Sequence, residues 1–112
     1  MNPTELQALK ADLFRALAHP VRIRVLELLA FKERSVQELQ DALGVDQPVV
    51  SQHLAVLRSR LLVTARKKGT LAYYALRSPL VAELLRVSRE LLSHRLAESQ
   101  SMLRELRRER RR

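Results

Sequence analysis

The residues from Ser35 to Leu61 have the pattern of two short helices joined by a tight corner. Ser35 and Glu38 have the spacing of a capping box, in which each side chain accepts a hydrogen bond from the other residue's backbone N–H. Leu39 lies on the apolar side of the helix that follows, and Gly44 stands where a left-handed residue commonly ends a helix. The pattern therefore predicts a first helix that begins at Ser35 and ends at Gly44.

The second helix of this region begins after Asp46, which can cap it, and tolerates Pro48 in its first turn. Its apolar residues recur at helical spacing and predict one buried stripe, formed by Val50, Leu54, Leu57 and Leu61. Short polar residues lie off this stripe near the start of the helix: Gln47, Ser51, Gln52 and His53. Such side chains can reach base edges in a major groove. We therefore interpret the region as a helix-turn-helix whose second helix reads DNA.

Two more helices are predicted before this region. Thr4 and Gln7 have capping-box spacing, and leucines at near-helical intervals follow them, so we expect a helix over about 4–18. Pro20 breaks this helix, because the residue before a proline is pushed out of the helical conformation, and then serves as the first residue of the next helix. Residues 31–34 form a polar link to the helix-turn-helix.

After Leu61 the period of the pattern changes. Alternating β-branched and aromatic residues interrupted by Gly69 predict a β-hairpin of about 62–67 and 70–76. A long leucine-rich helix then begins at Ser78-Pro79. The expected order is α-α-α-α-β-β-α, a mainly α winged helix-turn-helix of about five helices with a two-stranded wing. We expect a single domain over 1–106 and a basic, disordered tail over 107–112.

Composition excludes several other classes of protein. The chain has 112 residues, 46% of them apolar, which suits one domain with a modest core rather than a disordered chain. No apolar run approaches the roughly 18 residues of a membrane span, and no signal-peptide segment is seen, so we expect a cytoplasmic protein that does not bind membranes. The absence of cysteine excludes thiol chemistry, and the net charge of +9 favours a nucleic-acid partner.

Three motifs resemble those of the ArsR/SmtB family of bacterial winged-helix regulators. They are AL-A-x-P-x-R at 16–22, QP-x-V-S-x-HL-x-VL at 47–57 and G-x-x-x-YY-x-L at 69–76, and the likeness runs from about Leu13 to Leu76. The resemblance implies a transcriptional regulator. It also implies a homodimer that is joined through the first and last helices and binds an imperfect inverted repeat near a promoter. Many members of that family release DNA when they bind a metal ion.

The first and last helices carry more leucine than so small a core can cover, which independently suggests a dimer. The expected interface residues are Leu6, Leu9, Leu13, Leu84, Leu85, Leu91, Leu92 and Leu96. Two recognition helices about 34 Å apart would then meet successive major grooves on one side of the duplex.

Contacts to the DNA backbone are expected outside the start of the recognition helix. The candidates are Arg58 and Arg60 at its far end, Arg66, Lys67, Lys68 and Thr70 in the wing, and Ser35 and Gln37 at the start of the preceding helix. For the basic wing, the alternatives are an arginine inserted into the minor groove and a solvated turn at the hairpin tip. Arg22 is expected either to contact phosphate or to pair with an acidic neighbour. For His53 the alternatives to base contact are a place beside the core and a bond to phosphate.

The family's metal-binding positions hold few metal ligands in this chain. The thiolate site would fall on Ser35, Gln37 and Gln40, none of which is a thiol, and the second well-known site on Ser78, Leu80, Leu91 and His94. One histidine does not hold zinc or nickel. Glu90, His94 and Glu98 share a helix face and form a weak candidate for a site paired across a dimer, but arginines that pair with the acids are the favoured alternative.

We therefore expect no cofactor and no direct high-affinity metal sensing. Regulation would then come from protein abundance, an organic ligand or a second protein that supplies the sensing chemistry. An enzyme is the weakest function class, because neither an acid pair nor a nucleophile–base constellation is present. Two alternatives to a DNA-binding regulator without a metal site stay open. One is a winged-helix module that binds only proteins, and the other is a metal sensor with an unusual site around His94.

Overall fold

A computed structural model describes residues 2–111 and shows a mainly α, winged helix-turn-helix fold, which confirms the predicted class. The elements in chain order are α1 (Pro3–Leu17), α2 (Pro20–Phe31), β1 (Arg34–Ser35), α3 (Val36–Leu43), α4 (Gln47–Ser59), β2 (Val63–Lys68), β3 (Leu71–Leu76) and α5 (Pro79–Arg111). The chain divides within α5 into two compact units, of which the first ends at Ala82 and the second begins at Glu83.

The first two helices begin at side-chain caps, of which that of α1 differs from the predicted one, while α2 begins at Pro20 as predicted. Asn2, not Thr4, caps α1, because its Oδ1 accepts from the Glu5 N–H at 2.9 Å while the Glu5 carboxylate accepts from the Asn2 N–H. Pro3 follows at the first helical position, which suits its fixed backbone angle. His19 caps α2, since its Nδ1 accepts from the Val21 N–H at 3.1 Å.

The helix-turn-helix has the predicted corner. Ser35 and Glu38 form the capping box of α3, and Gly44 ends that helix in a left-handed conformation with φ of 67°. Asp46 occupies the N-cap position of α4, but its side chain makes no capping hydrogen bond, so the predicted cap is wrong in this respect. The position of α4 therefore depends on packing rather than on a side-chain cap.

The buried stripe of α4 contains Val50, Leu54 and Leu57 but not Leu61, which is 61% exposed. The helix ends at Ser59, and Leu61 takes a left-handed conformation with φ of 61°. The Leu62 N–H then donates to the Leu57 carbonyl in a Schellman-type ending, which carries Leu62 into the core in place of Leu61. The prediction for Leu61 was wrong because the helix ends two residues before it, at Ser59.

The wing is the predicted hairpin, with each strand shifted by about one residue. β2 pairs antiparallel with β3 from Val63↔Leu76 to Lys68↔Leu71, and Gly69 turns the chain with φ of 66°. The two-residue strand β1 pairs with the other edge of β3, so the sheet order is β1-β3-β2. The sequence analysis missed β1, because two residues are too few to show an alternating pattern.

The core lies among α2, α3, α4 and β2. Its largest fully buried side chains are Leu26, Leu39, Leu54, Leu57, Val25, Val50 and Val63. Full burial of such a side chain stabilises a protein by about 1.5–3 kcal/mol. Four of the seven come from the helix-turn-helix, so the core itself holds α3 and α4 in place.

The last helix, α5, continues to Arg111, beyond the end predicted at Leu106. Residues 107–111 are thus helical rather than a disordered tail, while Arg112 lies outside the described residues. An ion pair between Arg108 and Glu105, one helical turn apart, supports the final turns. Within residues 2–111, no helix has the length and apolar character needed to cross a membrane.

Candidate nucleic-acid interface

Polar side chains lie at the surface at the start of α4. Gln47 and Gln52 are exposed, and Ser51 is half-buried. The Gln47 Nε2 donates to the Ser51 Oγ at 2.6 Å, which fixes the Gln47 amide along the helix surface. Amide groups can bond bidentately to adenine in a major groove. The predicted base-contacting residues other than His53 therefore have surface that is accessible at the start of α4.

The wing lies beside this end of α4. An open groove of about 290 Å³ is lined by Val36, Gln37, Gln40, Gln47, Thr70, Leu71 and Ala72. Three predicted DNA-contacting residues, Gln37, Gln47 and Thr70, thus come from three different elements and meet at one groove. Gln37 is exposed, and its amide donates to the Asp41 carboxylate at 2.9 Å.

The cations of the wing divide into two groups. Lys67 and Lys68 are exposed next to the turn at Gly69, as is the uncharged Thr70. Arg66 instead forms a forked pair with Glu33, in which its Nε donates to the carboxylate Oε2 at 2.6 Å and its Nη2 donates to Oε1. Arg66 therefore differs from the prediction of a simple phosphate contact, because its charge already has a partner within the protein.

Electrostatics of this pair reinforce its geometry. The hydrogen bond from Arg66 lowers the pKa of the Glu33 carboxyl, and Lys68 adds a smaller effect in the same direction. The guanidinium carbon of Arg66 also lies 5.8 Å from the centre of the Tyr73 ring, within range of a cation–π contact. Sequence reasoning missed Glu33 and Tyr73 because no local pattern reveals a contact across 33 residues of chain.

His53 is buried, with 9% of its surface exposed, and is therefore not placed to contact bases. Its ring centroid lies 4.2 Å from that of His19, and the Arg22 Nη1 approaches its Nδ1 at 3.4 Å. Burial lowers the pKa of His53, and the nearby His19 and Arg22 lower it further. The prediction of a DNA contact was wrong for this residue, which follows Val50 by three positions and so falls beside the buried stripe.

Arg22 connects the end of α1 to α4. Its Nε donates to the Ala16 carbonyl at 2.6 Å and its Nη2 to the Arg15 carbonyl at 3.1 Å. These carbonyls belong to the last turn of α1, and the Arg15 carbonyl also accepts from the Ala18 N–H. The predicted acidic neighbour is thus replaced by backbone oxygens, which together with His53 take one donor from each nitrogen of the guanidinium.

Ser35 is also committed to the fold. It is 4% exposed, its Oγ accepts from the Glu38 N–H at 3.1 Å, and its own N–H donates to the Glu38 carboxylate at 3.2 Å. That backbone hydrogen bond lowers the pKa of Glu38. Because its N–H is already bonded, Ser35 is not placed to offer that group to a phosphate, in contrast to the prediction.

The far end of α4 lies at a separate surface. Arg58 is exposed about 16 Å along the helix from Gln47, given a rise of about 1.5 Å per residue. Arg60 lines a groove of about 220 Å³ together with Leu9, Asp12, Leu13, Ser59 and Leu61. Neither arginine lines the groove beside the wing, so the structure does not gather them with Gln37, Gln47 and Thr70.

The predicted dimer residues carry exposed apolar surface. In α1, Leu6 and Leu9 are 46% and 53% exposed, and Leu13 is half-buried. In α5, Leu91, Leu92 and Leu96 are exposed, and Leu84 and Leu85 are half-buried. The sequence analysis left out one large residue of this kind, Phe14 of α1, which is 59% exposed.

Several positions at which the resemblance places metal ligands, or at which a weak site was considered, are hydrogen-bonded within this chain. Ser35 and Gln37 use their polar atoms in the hydrogen bonds described above. Glu90 accepts from the Arg86 guanidinium at 3.0 Å, and Arg86 also bonds Glu83. Within residues 2–111, the structure gathers no three acidic, histidine or cysteine side chains that could hold a metal ion.

Comparisons with known proteins agree with this fold and site. The family model described as "Bacterial regulatory protein, arsR family" matches residues 19–64. The HTH-type transcriptional regulator Rv0081 of Mycobacterium tuberculosis is 43% identical over 108 residues, which cover 96% of this chain and 95% of that protein. The HTH-type transcriptional repressor SmtB of the same organism is 45% identical over 74 residues, or 66% of this chain and 55% of SmtB.

Two solved structures extend the likeness to three dimensions. The crystal structure of Rv0081 superposes with a TM-score of 0.81 and covers 88% of this chain and 98% of that one. The solution structure of Mb0332 from Mycobacterium bovis, described as a homodimeric winged helix-turn-helix DNA-binding domain, is 33% identical. It has a TM-score of 0.78 and covers 85% of this chain and 88% of that one. The relatives are transcriptional regulators and not enzymes, and this chain belongs to the ArsR/SmtB family of winged helix-turn-helix transcriptional regulators.

Proposed function

We propose that two copies of this protein bind an inverted repeat in double-stranded DNA and insert α4 of each copy into successive major grooves. The single observation that carries the proposal is the polar face at the start of α4. Gln47 and Gln52 are exposed there, while Val50 and Leu54 of the same helix are buried and hold its orientation. A helix anchored in this way presents its amides in a fixed register to the edges of base pairs.

The wing and the far end of α4 supply the phosphate contacts in this proposal. Lys67 and Lys68 are exposed at the hairpin tip, and Arg58 is exposed in the last turn of α4. Contacts of this kind add affinity for any sequence and make binding depend on salt. The net charge of +9 favours approach to a polyanion.

Dimerisation is supported by the apolar surface of α1 and α5. Leu9 is 53% exposed and Leu92 is 52% exposed, and large apolar surfaces of this kind mark interaction sites. Mb0332, which is similar in fold, is a homodimer. A twofold pair would place two copies of α4 about 34 Å apart, the spacing of one helical turn of DNA.

Regulation of this repressor or activator is proposed to act without direct high-affinity metal binding. The positions of the family's thiolate site carry hydroxyl and amide groups that bond to protein atoms at Glu38 and Asp41. Glu90, one member of the weak candidate site with His94 and Glu98, pairs with Arg86. The signal would then be an organic ligand, a change in abundance or a second protein.

Isothermal titration calorimetry with zinc, nickel and cobalt tests the last point. Weak, non-stoichiometric binding is expected. A submicromolar site with a fixed ratio of metal to protein would contradict it, and loss of that site in His94→Gln would assign it to the middle of α5.

Binding measurements on DNA test the main proposal. The probes are a duplex from the region upstream of the protein's own gene and a scrambled duplex of the same length, each titrated at several salt concentrations. Gln52→Ala should lower the preference for the upstream duplex by about 1–3 kcal/mol, because it removes a base contact. Lys68→Ala should weaken binding to both duplexes equally and reduce the salt slope by about one.

An equal affinity of the wild-type protein for the two duplexes would contradict the proposal. It would favour the alternative of a winged-helix module that recognises proteins. Arg34→Gln is a control for the charge lost in Lys68→Ala, because Arg34 is half-buried and its guanidinium donates to the Leu28 carbonyl. This variant should leave the salt slope unchanged.

A further inference from the structure

The forked pair between Glu33 and Arg66 stands out because it uses one of three adjacent cations in the proposed DNA-binding wing. Arg66, Lys67 and Lys68 follow one another in β2 toward the hairpin tip. Lys67 and Lys68 are exposed, but the guanidinium of Arg66 bonds both carboxylate oxygens of Glu33. A guanidinium fork recognises carboxylate and phosphate through the same two parallel N–H bonds. Glu33 therefore occupies the place that a DNA phosphate would otherwise take.

The sheet holds the two partners in register. Arg66 lies opposite Tyr73 in the pairing of β2 with β3, and Tyr73 lies opposite Ser35 in the pairing of β1 with β3. Glu33 stands directly before β1, so the ion pair spans the sheet from one edge strand to the other above Tyr73. The side chains of Arg66 and Glu33 remain 56% and 32% exposed, which leaves the pair open to solvent and to a competing anion.

We propose that Glu33 limits the affinity of the wing for DNA of any sequence, because it pairs with Arg66 and so competes with phosphates for this arginine. The inference rests on the proposed function. Contacts to phosphate carry no sequence information, so each one raises affinity for all DNA alike. By pairing with one cation of the wing, Glu33 lowers this sequence-independent affinity and leaves sequence preference to Gln52 and its neighbours on α4.

The experiment measures the salt dependence of binding to a labelled 30-base-pair duplex of arbitrary sequence, with the full chain. Glu33→Gln keeps the shape of the side chain but removes its charge, so Arg66 becomes available to phosphate. The slope of log affinity against log salt should steepen by about 0.9, and the affinity ratio between 50 and 200 mM salt should grow by about 3.5-fold. Glu33→Ala should show the same change, and a thermal melt by circular dichroism verifies that both variants fold.

Two further variants separate this effect from a simple gain in net charge. Arg66→Gln should leave the wild-type slope unchanged, and Glu33→Gln combined with Arg66→Gln should return to it. Glu27→Gln removes one negative charge from α2, where Glu27 faces Arg24 at 3.7 Å, and should not steepen the slope. These variants together form a double-mutant cycle with a matched charge control.

Three results would overturn the inference while leaving the proposed function standing. They are equal slopes for Glu33→Gln and Glu27→Gln, a steeper slope that persists in the double variant, and a slope reduced by about one in Arg66→Gln. The last would mean that Arg66 already contacts phosphate in the wild-type protein. A wild-type protein that binds no duplex at any salt concentration would instead overturn the proposed function and this inference together.

Discussion

The apolar side chains of α4 are buried, whereas those of α5 are largely exposed. In α4, Leu54 and Leu57 are at most 1% exposed, and the core of the same chain covers them. In α5, Leu91, Leu92 and Leu96 are 71%, 52% and 64% exposed. α4 is therefore held by its own chain and can present a fixed polar face, whereas α5 carries apolar surface that a second molecule would cover. α4 is therefore suited to recognising a rigid partner such as DNA, and α5 is suited to self-association.

The largest expected effect tests whether the core holds α4. Leu54→Ala should lower the free energy of unfolding by about 2–5 kcal/mol, because it removes a fully buried side chain and leaves a cavity. Urea denaturation followed by circular dichroism measures the change. The control is Ala55→Gly in the same helix, an exposed position where only the helix propensity changes, by about 1 kcal/mol. A loss for Leu54→Ala no greater than that of the control would contradict the proposed role of the core.

The next effect concerns the apolar face of α5. Leu92→Glu should raise the dissociation constant of the dimer more than tenfold, because it places a charge in the proposed interface. Sedimentation velocity over a range of protein concentrations detects the shift to monomer. Ser101→Glu adds the same charge at an exposed position on the opposite side of α5 and should leave the dimer intact. An unchanged dimer in Leu92→Glu would move the interface away from this face.

The pH dependence of stability tests whether His53 of α4 is buried in its neutral form. The Nδ1 of His53 faces the Arg22 guanidinium, which can only donate, so this contact requires the neutral imidazole. Burial lowers the pKa of His53 in the folded protein, while the unfolded chain takes up a proton near the ordinary value of about 6.5. The unfolded state therefore binds more protons in the range just below this value, and stability should fall as the pH decreases below about 6.5.

The slope should not exceed about 1.4 kcal/mol per pH unit for one proton. Urea denaturation at several pH values measures it. In His53→Gln the slope should be reduced, while His94→Gln, at an exposed position in α5, should retain it. Equal slopes for the wild-type protein and His53→Gln would show that His53 does not control this pH range.

The smallest effect compares two helix caps within the helix-turn-helix. Ser35→Ala should cost about 1 kcal/mol, because the Ser35 Oγ accepts from the Glu38 N–H at the start of α3. Asp46→Ala should cost less, because the Asp46 side chain makes no capping hydrogen bond at the start of α4. Thermal or chemical unfolding compares them. If Asp46→Ala were the more costly change, α4 would depend on its cap and not only on the core.

Local patterns predicted most of the fold because their physical causes are local. The capping box of Ser35, the left-handed Gly44 and the hairpin turn at Gly69 each depend on residues within a few positions of one another. The starts of α2 at Pro20 and of α5 at Pro79 were expected for the same reason. Strand β1 escaped notice because its pairing with β3 is a tertiary contact between residues about 39 positions apart, Arg34 and Tyr74 among them.

The arrangement of the candidate site depends on contacts between residues far apart in the sequence, which local patterns do not predict. Arg22 and His53 meet across 31 positions, and Arg66 and Glu33 meet across 33. Three residues predicted to contact DNA, Arg22, His53 and Arg66, instead position the helix-turn-helix and the wing through these contacts. The exposed residues Gln47, Gln52, Lys67 and Lys68 stay predictions, because exposure on the right face is necessary for DNA contact but does not establish it.

Footprinting of the purified wild-type protein on the region upstream of its own gene tests the central claim most directly. Two copies of α4 on a twofold axis should protect two related half-sites whose centres lie about 10–10.5 base pairs apart, or a multiple of that distance. The protection should appear at concentrations that leave a scrambled fragment unprotected. Uniform protection of both fragments, or a single unpaired site bound by one monomer, would contradict the account.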